Sequence, residues 1–203
     1  MSSPFNPDSE YSSEETIALT DEHGRSLECY VEHSLEVDGL VYLLLMPVDI
    51  PITIISWENE APGESTLEEA EVEAVMLEDD AEITEIFANA RAVLAEQNLS
   101  LKHTAHTLTA VGELPPIEEE QILTLDMGEG EADEDDDLDT EELQLLARFY
   151  YSDRHYSIYT PLTPLLFFAR YDDRRDRLDL VSPEEEGFQP ILEELLFEEL
   201  EDN

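Results

Sequence analysis

The sequence predicts an α+β protein made of two related antiparallel β-meander-plus-helix units packed together, preceded by a flexible acidic N-terminal tail. Short apolar segments separated by turn residues indicate strands joined by tight connections. Two other segments carry apolar residues at helical spacing. With 203 residues, 41% of them hydrophobic, the chain is long enough for one ordinary domain or two small ones with a buried core.

The first predicted unit, residues 15–100, begins with a four-stranded meander that follows a Ser-, Pro- and Glu-rich tail at residues 1–14. Asp38-Gly39 is a strong signal for a two-residue hairpin turn. Pro47 and Pro51 interrupt the ladder of hydrogen bonds before the last strand. The predicted strands are Thr16–Thr20, Leu27–Val37, Leu40–Met46 and Ile52–Trp57.

A helix closes the first unit. Asp79 or Asp80 can cap this helix, which runs to about Gln97. Its apolar residues recur at the spacing that predicts one face packed against a sheet. They are Ile83, Ile86, Phe87, Ala90 and Leu94. Residues 101–120 connect the two units and include one predicted strand, Lys102–Leu114.

The second predicted unit, residues 121–203, repeats this arrangement. Residues 127–142 form an acidic loop between its first two strands, which we interpret as an enlarged hairpin connection. The unit ends with a helix over about Phe188–Leu200. Its predicted strands are Gln121–Asp126, Leu143–Tyr151, His155–Tyr159, Leu165–Tyr171 and Arg177–Val181.

Two pairs of segments indicate an internal duplication. "VDGLVYLLLMPVDIPITIISW" aligns with "SDRHYSIYTPLTPLLFFARY", which places Tyr42 over Tyr156, 114 residues later, with a proline five residues after each tyrosine. Upstream, "IALTD" at Ile17 aligns with "ILTLD" at Ile122, 105 residues later. The difference between the two spacings falls where the acidic loop sits.

Charge is the most unusual property of the composition. The chain has 53 Asp and Glu residues against 9 Lys and Arg residues, which gives a formal net charge of −44. Such a charge repels DNA, RNA and anionic lipid, so direct binding to nucleic acid is not expected. A protein partner with a basic surface, a cation, or a site normally occupied by nucleic acid is electrostatically favoured.

The sequence also predicts a cytoplasmic protein. Cys29 is its single cysteine, so an internal disulfide is impossible and a reducing compartment fits. The N-terminus has neither the apolar core of a signal peptide nor the pattern of a transit peptide. The apolar run "LVYLLLMPV" is about half the roughly 18 residues that span a bilayer, so we expect no membrane insertion.

One segment resembles a known family. "IALTDEHGRSLECYVEHSLEVDGLVYLLLMPVD" is similar to the pattern ITLxDxxGxxxxxxVxxxxExDGxxYxLLxPxD of the YrzB-like family of small acidic bacterial proteins, a domain of unknown function. The longer two-part form, with a C-terminal unit like Leu143–Leu200, resembles an uncharacterised cyanobacterial and chloroplast protein group. The resemblance covers most of Thr16–Leu200. It implies the fold type and a cyanobacterial cytosol, and it implies no enzyme activity, cofactor or catalytic residue.

The residues themselves support no catalytic, cofactor-binding or metal-binding motif. An EF-hand loop starting at Asp133 would place Leu138 where Gly is required and Gln144 where Glu is required, so only weak, nonspecific divalent cation binding stays open. His103 and His106 lie three apart, on opposite faces of a strand. Phosphate loops and nucleophile elbows are absent from the sequence, and we expect a protein without enzyme activity.

Aromatic and cationic residues are most concentrated between residues 148 and 177. Eight of the 16 aromatic residues and six of the nine cations lie there, and both types dominate binding hot spots. Strand alternation predicts that Tyr156 and Ile158 point inward and that His155 and Tyr159 point outward. The alternative is that the rings form the core of a small unit. The candidate partner-binding residues are Tyr151, Arg154, His155, Tyr159, Phe167, Arg170 and Tyr171.

These features predict a non-enzymatic acidic adaptor or assembly factor. It would bind a protein partner through the aromatic and Arg surface of the C-terminal unit, and its negative field would favour basic partners. The alternative is a nucleic-acid mimic that blocks the basic groove of a nucleic-acid-binding protein.

Overall fold

The computed structural model describes residues 16–59, 72–126, 140–172, 177–183, 185 and 187–201. The predicted tail at residues 1–14 lies outside these ranges, as does the acidic loop at 127–139. Residues 140–142 are predicted to belong to that loop, but they begin a strand. Contacts between residues divide the protein into two compact units. Unit 1 comprises Met1–Val48 and Pro164–Asn203, and unit 2 comprises Asp49–Thr163.

The described secondary structure consists of antiparallel strands and two helices, as the α+β prediction requires. The helices are α1, Asp80–Ala95, and α2, Gln189–Glu201, and a 3-10 turn spans Glu119–Gln121. In chain order the strands are β1 Thr16–Thr20, β2 Ser26–Val37, β3 Leu40–Pro47, β4 Ile50–Asn59, β5 Val72–Met76, β6 Ser100–His103, β7 Leu108–Val111, β8 Ile122–Asp126, β9 Thr140–Tyr151, β10 Arg154–Pro161, β11 Phe167–Asp172 and β12 Arg177–Leu180.

Unit 1 is a five-stranded sheet with one helix. Its strand order is β1-β2-β3-β11-β12, and α2 packs on β2 and β3. The ring of Phe188, the residue before α2, lies 5.7 Å from the Tyr42 ring and 5.6 Å from the Phe168 ring, between centroids. These rings join Leu44, Val181 and Leu195 in a buried core, so the helix is held by aromatic packing.

Unit 2 contains a longer sheet, with the order β6-β7-β4-β10-β9-β8 and β5 paired with β4. Helix α1 packs against β9 and β6 on one face. Its side chains Ile86, Ala90 and Leu94 are buried, and Ile83 and Phe87 pack beside them. The helical stripe predicted from the sequence is therefore confirmed.

Two hairpin turns fix the register of the long strands. Asp38 and Gly39 have φ values of 55° and 77°, and Ser152 and Asp153 have φ values of 47° and 65°. Two consecutive positive φ values are typical of a type I′ turn, whose twist matches that of the strands it joins. The Asp38-Gly39 prediction is confirmed, and the second turn forms without glycine.

The single strand predicted over Lys102–Leu114 is wrong, because the segment folds back on itself. Strands β6 and β7 form a hairpin around a turn in which the Thr104 hydroxyl donates to the Thr107 carbonyl at 2.6 Å. His106 takes a φ of 64° at this turn. A Thr-rich segment can satisfy its backbone through side-chain bonds, which competes with a continuous strand. Strand β5 was also absent from the prediction.

The two compact units differ from the sequential boundaries 15–100 and 121–203 given by the sequence. Strand β3 pairs with β11, with Tyr42 opposite Arg170, and β4 pairs with β10, with Ile55 opposite Ser157. Each sheet thus draws strands from early and late parts of the chain. The sequence pattern predicts which residues form strands. It does not predict which strands are neighbours, because the hydrogen bonds between strands join backbone groups and do not depend on the side chains.

Candidate functional site

The sheet of unit 2 has a second face, opposite α1, that carries a groove of about 590 Å³. The central strands β4, β9 and β10 supply its walls, and the hairpin turn between β9 and β10 closes one end. We call this site the Trp57 groove. Its lining residues are Trp57, Arg148, Tyr150, Asp153, His155, Ser157 and Tyr159.

Strand alternation places these side chains on one face. Along β10, Tyr156 and Ile158 belong to the core beneath α1, whereas His155, Ser157 and Tyr159 line the groove. The alternation predicted for these residues is confirmed. Tyr159 is nevertheless only 3% exposed, because its ring packs into a cluster on the groove side with Trp57, Ile55 and Leu143.

The exposed ring of Tyr150 is the most accessible part of the groove. Its side chain is 73% exposed. One side of the ring stacks on His155, with centroids 4.9 Å apart and an angle of 28° between planes. The two residues are direct cross-strand partners on β9 and β10. The stack orders the Tyr150 ring while leaving most of its surface available to another molecule.

A hydrogen bond orders the opposite wall. Trp57 Nε1 donates to Ser157 Oγ at 3.0 Å, and Ser157 is fully buried. Trp57 on β4 lies directly across the ladder from His155 on β10. Trp57, His155 and Tyr150 therefore occupy directly opposed positions on three neighbouring strands.

Arg148 supplies a cation to the groove. Among the described residues, none forms an ion pair or hydrogen bond with its guanidinium. Burial lowers the pKa of His155, and the positive charge of Arg148 lowers it further. Burial also raises the pKa of Tyr159. The groove thus combines one Arg side chain, Arg148, and one Asp side chain, Asp153, with aromatic and imidazole rings.

A second polar cluster lies on the α1 side of the same sheet. Glu82 Oε1 accepts from Arg154 Nη1 at 2.9 Å and from the Tyr156 hydroxyl at 3.2 Å. Tyr151 hydrogen-bonds Glu85, which raises the pKa of the Tyr151 hydroxyl. These contacts tie α1 to the β9–β10 hairpin. Two candidate partner-binding residues, Tyr151 and Arg154, are therefore engaged in internal contacts.

The remaining candidates belong to unit 1. Arg170 Nη1 donates to Glu185 Oε1 at 3.0 Å, and a hydrogen bond with Tyr42 is the main reason that the pKa of Arg170 is raised. Tyr171 is 7% exposed, and Phe167 is partly buried at the start of β11. Of the seven candidates, the structure brings only His155 and Tyr159 into the Trp57 groove.

The seven candidates leave out five residues of the groove, Trp57, Arg148, Tyr150, Asp153 and Ser157, although Arg148 and Tyr150 belong to the concentration of aromatic and Arg residues noted in the sequence. A local signal existed for two of them. With a two-residue turn at Ser152 and Asp153, His155 is expected to lie opposite Tyr150. Arg148 is two residues from Tyr150 on β9, so strand alternation places both side chains on the same face. Trp57 could not be found this way, because its strand pairs with β10 across a separation of about a hundred residues.

Metal and membrane features are limited within the described ranges. No group of three or more His, Cys, Asp or Glu side chains there is placed to hold a metal ion. His103 lies 3.2 Å from Asp80 and stacks near Phe87. Neither described helix has the length and apolar composition needed to cross a membrane. Cys29 is fully buried on β2, and burial raises the pKa of its thiol to about 12.

Comparison with known proteins gives a family for the chain. Residues 98–199, half of the sequence, match the family described as "Protein of unknown function (DUF3727)". The chain belongs to this family. Residues 22–95 match a second one, "Protein of unknown function (DUF1292)". No curated protein and no solved structure matches the chain.

The boundary between the DUF1292 and DUF3727 matches falls between α1 and β6, so the two matched segments follow one another along the chain. The compact units follow a different division. The sheet of unit 1 contains β2 from the DUF1292 segment and β11 from the DUF3727 segment. The sheet of unit 2 combines β4 with β10 in the same way.

Proposed function

We propose that this DUF3727 protein is a non-enzymatic adaptor or assembly factor that binds a basic protein partner through the Trp57 groove. The observation that carries the proposal is the Tyr150 ring, 73% exposed and held by His155, next to an Arg148 without an ion pair among the described residues. Ordered aromatic rings and arginines dominate binding hot spots because they bury large area at a small entropic cost.

Charge supports a basic partner. A net charge of −44 attracts a basic surface over long range and increases the rate of encounter. Within the groove, we expect a partner's Arg side chain to stack on the open side of the Tyr150 ring by a cation–π interaction and to pair with the Asp153 carboxylate, which also lines the groove. Arg148 then pairs with a carboxylate of the partner, which fixes the orientation.

Binding measurements with matched variants test this function. A protein captured from the native extract is identified and purified, and its dissociation constant is measured for each variant. Tyr150→Ala and Arg148→Ala are each expected to weaken binding by about tenfold or more. The controls are Ile117→Ala, which truncates another exposed apolar side chain, and Arg91→Ala, which removes an exposed arginine from α1. Equal affinities for all four variants would remove the proposal.

Nucleic-acid mimicry is the second candidate, favoured by the charge alone. A mimic binds through distributed carboxylates, so its affinity falls steeply with salt and depends on acidic segments such as residues 129–139. Deleting those residues distinguishes the two functions. The deletion leaves binding through the Trp57 groove nearly unchanged and weakens binding by mimicry.

The wider assignment is part of the proposal. Similarity of the N-terminal segment to the YrzB-like proteins, and of most of Thr16–Leu200 to a cyanobacterial and chloroplast group, supports a cyanobacterial cytosolic protein. The single cysteine is compatible with a reducing cytoplasm. Fractionation of the source cells tests the location.

A further inference from the structure

We infer that the chain is a duplicated unit whose two halves have exchanged their C-terminal segments, so that each half is the binding partner of the other. The first half contains β1 to β5 and α1, and the second contains β8 to β12 and α2. The edge of β3 is the docking surface for β11, and the edge of β10 is the docking surface for β4. Neither half holds a complete sheet.

The first observation is the strand order within each unit. Unit 1 has the order β1-β2-β3-β11-β12, and the sheet of unit 2 contains β8-β9-β10-β4, with β5 also on β4. In both units, a three-stranded meander from one half is followed by a strand pair from the other half. The helix after that strand pair returns to the meander, since α2 packs on β2 and α1 packs on β9.

The second observation is the position of two β-bulges. In the β2–β3 ladder the register shifts between Val31 and His33, which leaves Glu32 as the extra residue. In the β9–β10 ladder the partner of Tyr159 is Leu145 and that of Ile158 is Ala147, which leaves Leu146. Glu32 and Leu146 are 114 positions apart (146 − 32), which is the spacing of the duplicated sequence. Bulges are local insertions, so their coincidence indicates a common unit.

The third observation is the register of the exchanged strands themselves. Leu43 lies opposite Ala169 on the β3–β11 ladder, and Ser157 lies opposite Ile55 on the β10–β4 ladder. Leu43 and Ser157 are 114 residues apart, and so are Ile55 and Ala169. A slip of one residue would turn every side chain to the other face of the sheet. The exchanged strands thus dock in equivalent registers.

The structure also corrects the alignment of the first strands. Ile17 pairs with Cys29 on the β1–β2 ladder, and Leu123 pairs with Leu143 on the β8–β9 ladder. Cys29 and Leu143 are equivalent at 114, so Ile17 corresponds to Leu123 rather than to Ile122. The sequence alignment of "IALTD" with "ILTLD" is therefore wrong by one residue, because short apolar strands match in more than one register.

The exchange also completes the Trp57 groove. Trp57 comes from the first half, whereas Arg148, Tyr150 and His155 come from the second. The hydrogen bond from Trp57 to Ser157 and the ion pair from Arg154 to Glu82 both join the two halves. Separation would expose the unpaired edge of β3, where Leu43, Leu44 and Leu45 are fully buried, and an apolar edge of that kind recruits another strand.

Cysteine pairs in a cleavable full-length chain test the exchange. A protease recognition site is inserted between Glu113 and Leu114, which are both exposed in the segment after β7. Two variants are made in a Cys29→Ala background: Leu43→Cys with Ala169→Cys, and Ile55→Cys with Ser157→Cys. Directly opposed residues of antiparallel strands are about 4.5 to 5.5 Å apart between Cα atoms, which a disulfide can span.

The expected result is reciprocal. After oxidation and cleavage, both variants migrate as one full-length species in denaturing gels and separate into two fragments when a reductant is added. The four single-cysteine variants give separate fragments throughout. A bond in one pair only, or in neither, overturns the reciprocal exchange.

A second measurement is used if a cysteine variant does not fold, which is detected as the loss of the circular dichroism signal of the parent. The parent chain with the inserted site is cleaved and analysed by gel filtration without denaturant. Halves that coelute, and that lose their ordered sheet when they are separated in urea and refolded singly, support the exchange. Halves that separate without denaturant and each retain a sheet overturn it.

Discussion

Glu82 joins α1 to two side chains of the β9–β10 hairpin. Its Oε1 atom accepts from both Arg154 and Tyr156. Burial raises the pKa of the Tyr156 hydroxyl, and the adjacent Glu82 carboxylate raises it further. The hydroxyl therefore stays protonated and remains a donor over the physiological range.

Removing this donor gives the first prediction. Tyr156→Phe leaves the buried ring in place and deletes only the hydroxyl with its hydrogen bonds to Glu82 and Arg154, which is expected to cost about 1 kcal/mol of the free energy of unfolding. Tyr150→Phe is the matched control, because the Tyr150 hydroxyl makes no hydrogen bond among the described residues, and it should change stability by less than about 0.5 kcal/mol. Urea denaturation measures both values. Equal losses in the two variants would contradict the role of the Glu82 contact.

His155 gives a second prediction at the residue scale. Burial is the larger cause of its lowered pKa and Arg148 the smaller one, so Arg148→Gln should raise the pKa without restoring the ordinary value. Because the folded chain binds this proton less readily than the unfolded chain, the contribution of His155 to the free energy of unfolding falls as the pH drops below about 6.5. The variant loses less stability there. Titration of the imidazole protons by NMR, with Arg91→Gln as control, measures the pKa; no change on removing Arg148 would contradict the assignment.

Helix α1 begins at a side-chain cap. Asp79 has an extended backbone, and its carboxylate Oδ1 accepts from the Glu82 amide at 2.9 Å. The cap also fixes the first turn, which carries Glu82 towards Arg154 and Tyr156. Local helix formation and the polar contact across the sheet are therefore coupled.

Asp79→Ala is expected to destabilise the protein by about 1 kcal/mol, because the Glu82 amide loses its acceptor. Asp79→Ser keeps an oxygen at the capping position and should retain most of the stability. Chemical denaturation monitored by circular dichroism compares the two variants. A serine variant as unstable as the alanine variant would show that the cap is not the cause.

Gly112 allows the end of β7 to approach the connection after α1. Its φ is +148°, and a Cβ atom at this position would lie 2.5 Å from the Asn98 carbonyl oxygen and 2.9 Å from Leu99. Gly112→Ala should therefore cost about 1–3 kcal/mol through backbone strain and displacement. Gly24→Ala is the control: its φ is +78° with open space around it, so about 1 kcal/mol is expected. Thermal unfolding ranks them, and the opposite ranking would contradict the close approach.

The elements were more predictable than their neighbours in the sheets. Periodicity located α1 and its buried face from Ile86, Ala90 and Leu94, and turn chemistry located the Asp38-Gly39 hairpin. The pairing of β4 with β10 was not predictable, because both strands carry similar apolar residues and each could pair with its sequential neighbour. The Trp57 groove depends on that pairing, so its His155 side was found and its Trp57 side was missed.

At the scale of the whole molecule, the charge of −44 opposes the folding of both units. Among the described cations, Arg25, Lys102, Arg154 and Arg170 are paired with carboxylates. With 9 Lys and Arg residues against 53 acidic residues, such pairs leave most of the repulsion in place. This repulsion is smaller in the expanded unfolded chain, so it lowers the free energy of unfolding.

Salt is therefore expected to stabilise this protein. Raising the concentration of sodium chloride from about 10 mM to about 150 mM shortens the Debye length from about 30 Å to about 8 Å, which screens repulsion between distant carboxylates. The urea midpoint should rise over this interval. Tetramethylammonium chloride at the same ionic strength should give a similar rise, because screening depends on charge and not on the identity of the cation. A rise with sodium alone would indicate binding of the ion at carboxylates, and an unchanged midpoint would show that repulsion does not limit stability.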